Sequence, residues 1–322
     1  MNARVTVLLP IYNETEEYVE RSIDSILTQT FTDFELLVYL DNPKNETLIK
    51  YMGNKINTDA RIRFRINENN IGLPATLNRM INEVTTEYIA RMDADDIAIK
   101  DRLQKQYEYM TANKDCDLCG TNILYINTSG DKLKNNGNIP EDSAMIADCL
   151  KYKNVMSHPT YFAKTSVMKA VLYREKLRYA QDYDFVCRCV ELGYKLANIN
   201  DIYLQYRVGN VSSNKLMRQN MTAYFIKHLY RENKLCFTEN IDELIQKEID
   251  KYGEEPLSVA SSYRCLCKGI FSSIKSLKFA RAIQLVKFLI FPHPYRRDSM
   301  LSERKYKRIM IGHMNEWARE SK

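Results

Sequence analysis

Apolar runs and amphipathic stretches alternate through the first hundred residues. Val5 to Leu9 is an apolar run broken only by Thr6, and it stops in the polar segment Pro10-Ile11-Tyr12-Asn13-Glu14. Such a run reads as a strand buried on both faces, which is how parallel sheets are built. Glu16 to Gln29 then carries Val19, Ile23, Ile26 and Leu27 at helical spacing on one face. Phe34 to Leu40 is a second buried run ending in Asp41-Asn42-Pro43, and a helix is predicted from Glu46 to about Ile56. Ile62 to Ile66 reads as a third strand, Asn69-Asn70-Ile71-Gly72 as a turn, Leu73 to Val84 as a helix and Tyr88 to Met92 as a fourth strand. Four strand and helix repeats predict right-handed crossovers and a mostly parallel α/β sheet with helices on both faces. Ligands bind such sheets outside the carboxyl ends of the strands, where the loops 10–14, 41–43 and 91–96 all fall.

Farther along, Leu118 to Ile126 predicts another strand, with a turn at Asn127-Thr128-Ser129-Gly130-Asp131, and Tyr183 to Leu192 a helix. After Ser213 the pattern is helical, with segments predicted near 215–234, 239–251, 257–275, 278–290 and 302–318. The expected division is a catalytic domain over 1–213, split into halves 1–115 and 116–213, and a helical C-terminal region over 214–322.

Charge sharpens that division. The chain carries net charge +6, yet residues 256–322 hold 14 Lys and Arg against 4 Asp and Glu, leaving the body acidic. In the segment 278–291 the residues Phe279, Ile283, Val286 and Ile290 share a face while Lys278, Arg281 and Lys287 lie off it. With Arg296, Arg297, Arg304, Lys305, Lys307 and Arg308, this suits an anionic membrane surface; a helical subdomain packed through its apolar stripe is the other reading. Aromatic residues are sparse there and no recognition motif appears, which argues against nucleic acid. No apolar stretch reaches the length of a membrane span and the N-terminus lacks a signal-peptide pattern, so the expected location is cytoplasmic, peripheral at the inner face of the membrane. The eight cysteines contain one C-x-x-C knuckle, Cys116 and Cys119, where a zinc site wants two, and reduced buried thiols are expected.

The chemistry concentrates at Arg91-Met92-Asp93-Ala94-Asp95-Asp96, three carboxylates in four residues at a strand's carboxyl end. Oxygen ligands of this kind hold a hard cation such as Mg²⁺ or Mn²⁺; Asp95 or Asp96 as the cap of a helix starting near Ile99 is the alternative. His158, before Pro159, reads either as a buried hydrogen-bonding residue or as an acceptor or phosphate contact.

Taken together, Val7-Leu8-Leu9-Pro10-Ile11-Tyr12-Asn13-Glu14, Ser25 to Phe31, Asn70-x-Gly72 and Tyr88 to Asp96 resemble the nucleotide-sugar-binding half of the family 2 glycosyltransferases. The resemblance implies a GT-A fold, a Rossmann-like sheet with an α-helical C-terminal region, and inverting transfer of a single sugar. The donor would be a nucleotide sugar, here a UDP-sugar, and the acceptor a glycan or a polyprenyl-linked glycan. It further implies donor contacts from Pro10, Tyr12, Glu14, Asp41, Asn70, Gly72, Arg91 and Asp93, and metal ligation by Asp93 and Asp95. In Tyr179-Ala180-Gln181-Asp182 it implies that Asp182 is the catalytic base; the same residue reads independently as a helix N-terminal cap, and the two roles are compatible. Three departures stand out: Leu40 precedes Asp41 where paired acids are common, Gln181 precedes Asp182 where a Glu is usual, and Gly209 occupies the His position of a Tyr-Arg-x-His segment. Arg207 is accordingly expected to supply a cation to the diphosphate or acceptor. A Gln-x-x-Arg-Trp motif, the mark of processive polymerases, is absent. The rival readings are a sugar-1-phosphate nucleotidyltransferase, disfavoured because Leu9 to Glu14 has no Gly-rich basic loop, and a non-catalytic nucleotide-sugar-binding scaffold.

Overall fold

A computed structural model describes residues 3–209, 213–238 and 240–252, with isolated positions between 302 and 310. The basic amphipathic segment and the helices expected near 257–275 and 278–290 lie outside the described residues, as does most of that near 302–318.

Two compact units divide the chain, one formed by residues 1–150 with 154–209 and the other by 151–153 with 210–322. The first begins as the apolar pattern predicts: β1 (Val5–Ile11), α1 (Glu16–Leu27), β2 (Phe34–Leu40), α2 (Glu46–Lys55), β3 (Ile62–Ile66), α3 (Leu73–Glu83) and β4 (Tyr88–Arg91). These strands pair in parallel in the spatial order β3-β2-β1-β4. Helix α1 starts where Thr15 Oγ1 accepts the Tyr18 N–H and Glu16 and Glu17 face the positive end of the helix dipole; it buries Val19, Ile23 and Ile26. Strand β1 runs past the apolar stretch and carries Pro10 in its interior, opposite Tyr39 of β2. A proline is tolerated in this central strand because β4 pairs with β1 only as far as Leu8, so no ladder bond is asked of the missing N–H.

Beyond β4 the sheet turns mixed. The chain continues through β5 (Ile97–Ala98), α4 (Arg102–Ala112), β6 (Leu118–Ile126), β7 (Lys132–Asn135), α5 (Ser143–Leu150), β8 (Phe162–Lys164), α6 (Thr165–Val171), α7 (Gln181–Glu191) and β9 (Leu196–Arg207). Strand β8 lies antiparallel to both β4 and β6, β9 runs parallel to β6, β5 closes the far edge antiparallel to β9, and β7 flanks β6. The helix placed near Ile99 begins at Arg102, with Asp101 as its cap position, so neither Asp95 nor Asp96 caps it. Cys116, Cys119, Cys149, Cys187 and Cys189 are buried.

Gly120 marks a close approach inside β6. A Cβ there would stand 2.5 Å from Asn198 Oδ1, on an amide whose nitrogen donates to the Pro140 and Val155 carbonyls. Gly120→Ala should therefore destabilise the protein by about 1–3 kcal/mol through overpacking, read as a lower midpoint in urea.

In the second unit α8 (Ser213–Arg231) and α9 (Ile241–Tyr252) bury Met221, Ile226, Tyr230, Ile241 and Ile245. Among the described residues no helix is long and apolar enough to cross a membrane.

Candidate active site

The acid loop leaves β4 at Arg91 and is pinned along its backbone by four elements. Met92 donates its N–H to Leu8 of β1, and Ser22 of α1 donates its hydroxyl to the Asp93 carbonyl at 2.9 Å. Arg102 of α4 donates to the Arg91 carbonyl at 2.6 Å, and Arg207 at the end of β9 donates through Nε to the Asp95 carbonyl at 2.8 Å. So constrained, one ligand oxygen from each of Asp93, Asp95 and Asp96 lies within 4.8 Å of the others.

Three carboxylates this close repel one another in a partly dehydrated setting. Desolvation, then the charges of Asp93 and Glu14, push the Asp95 carboxyl up to about 6. Desolvation followed by the neighbouring Asp93 and Asp95 pushes Asp96 well above the ordinary carboxylate range. Two buried guanidinium groups oppose this: Arg91 forms an ion pair with Asp93, and Arg102, lowered to about 10 by its own burial, also faces Asp96. Asp96 is 1% exposed; its Oδ1 accepts the Arg207 N–H at 2.8 Å while its Oδ2 is buried without a hydrogen-bond partner. An orphaned anionic oxygen beside two more carboxylates is a donor set that fits a hard divalent cation.

A second cluster occupies the ends of β1 and β2. The Asp41 carboxylate accepts from Asn67 Nδ2 at 2.8 Å, the Ile71 N–H at 2.9 Å and the Gly72 N–H at 2.8 Å, and Asn70 Oδ1 also accepts the Gly72 N–H. Asp41, Asn70 and Gly72, expected separately on the donor, are thus one loop, with Gly72 at φ 84° where a side chain would be strained. Glu14 accepts the Tyr12 N–H, and Tyr12 presents a ring that is 42% exposed. Pro10 is buried within β1.

Asp182 lies in the first turn of α7, after Ala180 in the left-handed region at φ 50°. Its Oδ2 accepts from Asn154 Nδ2 at 2.8 Å. The residue is half-buried, and the surrounding protein displaces enough water to raise its carboxyl above the usual range, against the backbone N–H groups of Tyr183 and Asp182 itself and the charge of Arg91. Arg91 therefore acts on the acid loop and on Asp182 alike.

Three of the residues considered for ligand contact are buried. Arg91, expected on the donor, is 1% exposed and reaches the site through Asp93. Arg207, expected on phosphate, is 5% exposed: besides Asp95 it donates to the Asn127 and Thr128 carbonyls and stacks 4.4 Å over the Tyr18 ring. It is drawn inward because β9 pairs with β6 so that Arg207 lies opposite Ile126, beside that turn. His158 is buried with Nε2 2.9 Å from the Tyr173 hydroxyl, and desolvation followed by Arg91 lowers its pKa well below normal, so its ring is neutral. The sequence reading passed over Asn67 and Asn154, polar residues whose partners lie 26 and 28 positions away, and Arg102, whose partners Arg91 and Gln106 flank it more closely.

The fold is similar to that of S. aureus TarS. The structure of its residues 1–349 in complex with UDP-GlcNAc superposes with TM-score 0.56 at 19% identity, over 70% of this chain and 66% of that one; a longer TarS chain is matched over 40% of its length. The fold is of the GT-A type. The model of glycosyl transferase family 2 matches residues 6–170, and the chain belongs to that family. An uncharacterized glycosyltransferase of Methanocaldococcus jannaschii is 35% identical over 74% of this chain and 82% of its own. The O-antigen biosynthesis glycosyltransferase WbnJ of Escherichia coli is 33% identical over 66% and 82%, and the amylovoran biosynthesis glycosyltransferase AmsE of Erwinia amylovora is 30% identical over 65% and 78%.

Proposed function

We propose that this protein is an inverting, divalent-cation-assisted transferase that moves one sugar from a UDP-sugar to a hydroxyl of a glycan or lipid-linked glycan in surface polysaccharide assembly. The observation that carries the reading is the pairing of an acid cluster on the β4 edge with a separate carboxylate, on a half-buried residue, in the first turn of α7, both within the field of Arg91. Support for the donor class comes from the structural relative solved with UDP and with UDP-GlcNAc, and for the pathway from the O-antigen and amylovoran relatives.

In the reaction an acceptor oxygen attacks the anomeric carbon from the face opposite the leaving group. As the new C–O bond forms, Asp182 takes the hydroxyl proton, the bond to the diphosphate breaks, and its electron pair leaves with UDP. Asp93, Asp95 and Asp96 would hold Mg²⁺ or Mn²⁺, which supplies neutralisation of the charge developing on the diphosphate. Arg91 and Arg102 keep the cluster from repelling itself apart, and the Asp41 loop with Tyr12 shapes the end of the sheet that would receive the nucleoside.

The test is product release from a panel of nucleotide sugars with Mn²⁺. UDP formation, by transfer or by slow hydrolysis, is expected. Pyrophosphate formation from sugar-1-phosphate and UTP would assign a nucleotidyltransferase instead, and tight binding without turnover a scaffold.

A further inference from the structure

Asp182 lacks the acidic neighbour usual before it, since position 181 is Gln. The side chain that meets its carboxylate comes from elsewhere: Asn154, between α5 and the short 3-10 turn His158–Thr160. The orientation of the Asn154 amide follows from chemistry. The Met156 N–H, 3.0 Å from Oδ1, can only donate, so the atom facing it must be the carbonyl oxygen. The NH₂ group then faces Asp182 Oδ2 at 2.8 Å and can only donate to it.

The segment that carries Asn154 is held at several points. Asn198 Nδ2 donates to the Val155 carbonyl, Thr160 Oγ1 donates to the Ser157 carbonyl and accepts the Thr121 N–H, and Gln106 of α4 donates to the Thr160 carbonyl at 2.7 Å. On the other side the Tyr161 hydroxyl donates to the Asp182 carbonyl, fixing the first turn of α7. The amide is therefore delivered by a braced loop to a braced helix end.

We propose that Asn154 is the positioning residue for the catalytic carboxylate: its amide holds Asp182 Oδ2 as a hydrogen-bond acceptor and so sets the orientation of the carboxylate toward the acceptor hydroxyl. The proposal rests on the reading of Asp182 as the base. The backbone N–H groups of Tyr183 and Asp182 also hold the carboxyl, and a proton on Oδ2 would face the amide N–H, so the Asn154 bond keeps that oxygen an acceptor. The same bond favours the ionised form, which burial penalises. The titratable groups that face Asp182 are Arg91 from β4, Tyr161 before β8, Tyr173 after α6, and Cys187 on α7 itself. Burial holds the phenols and the thiol neutral, so Arg91 is the charged one among them. Arg91 sets the general potential and the Asn154 amide holds Oδ2.

Asn154→Asp isolates the effect, because its carboxylate still accepts the Met156 N–H but puts an anion where the NH₂ stood. The full-length protein, labelled at its Asp carboxyl carbons, is titrated by ¹³C NMR, with the Asp182 signal assigned by its loss in Asp182→Asn. The Asp182 titration is expected to move up by about one pH unit or more in Asn154→Asp and by less, in the same direction, in Asn154→Ala. UDP release with Mn²⁺ should show kcat down by about 10- to 100-fold, its acid limb moved up in pH and donor KM unchanged. An Asp182 titration unchanged in both variants, or in Asn154→Ala alone if the first fails to fold, overturns the proposal. Wild-type UDP release in Asp182→Asn overturns the underlying assignment of the base instead, whatever the NMR shows.

Discussion

Asp182→Asn should fold, bind the donor with wild-type affinity and lose transfer by a factor of about 10²–10⁴, the span that a positioned general base contributes. The substitution keeps the shape of the side chain and the oxygen that accepts from Asn154, so neither α7 nor the Asn154 loop is disturbed. What disappears is the capacity to take a proton. Because burial raises the Asp182 carboxyl, the wild-type rate should fall on the acid side at a pH above that of an ordinary carboxylate. The asparagine variant, having no group to titrate there, should lack that limb.

Stability gives the same prediction an independent readout. A carboxyl raised in the folded state binds its proton more tightly there than in the unfolded chain, so its charge costs stability above the folded pKa. That cost shrinks as pH falls and is gone below the unfolded value. Asp182→Asn should therefore melt at or above the wild-type temperature near neutral pH, with the difference closing in acid. A variant that melts well below wild type at neutral pH would mark Asp182 as a structural cap; one that retains wild-type transfer would remove it from the chemistry.

The sequence pattern revealed the half of the sheet in which strands are covered on both faces. There, burial demands apolar runs, and Val5–Ile11 and Phe34–Leu40 fall where those runs lie, while the edge strand Ile62–Ile66 was read from its alternation. The second half is built from strands that the same rule misses. All four residues of β7 are exposed, β8 is three residues long, and β9 is interrupted by Asn198, Asn200 and Asp201. Asn198 is a buried residue of this strand whose amide serves the carbonyls of Pro140 and Val155, a pattern no periodicity encodes. The acid loop was legible because charge concentrated after an apolar strand has few structural uses. Asn154 was not, since its partner is 28 residues away and an isolated Asn before Val155-Met156 looks like any turn residue. Arg207 shows the converse: its type and motif suggested phosphate, whereas strand pairing set it against backbone carbonyls.

Asp95→Ala should abolish cation-dependent donor binding outright, because the three acids are unequally committed. Asp93 is paired with buried Arg91, and Asp96 has one oxygen on the Arg207 N–H. Asp95 is engaged by its own backbone N–H, its carboxyl is pushed up to about 6, and the largest causes are burial and two neighbouring negative charges. A carboxylate kept under that repulsion has the most to gain from a divalent cation, and Gly209 offers no side-chain ligand in its place. In wild type, UDP with Mn²⁺ should raise the melting temperature in proportion to the logarithm of ligand concentration, and this shift should vanish in Asp95→Ala at any Mn²⁺ concentration that leaves the fold intact. The variant without ligand should melt slightly higher than wild type above about pH 6, since it no longer carries a charge that the folded state disfavours, and the gain should fade as pH falls toward the ordinary carboxylate range. Loss of the ligand shift together with that gain separates a binding residue from a structural one. An unchanged Mn²⁺-dependent shift would move the cation away from this loop, and with it the arrangement that opposes an activated leaving group to the carboxylate of α7.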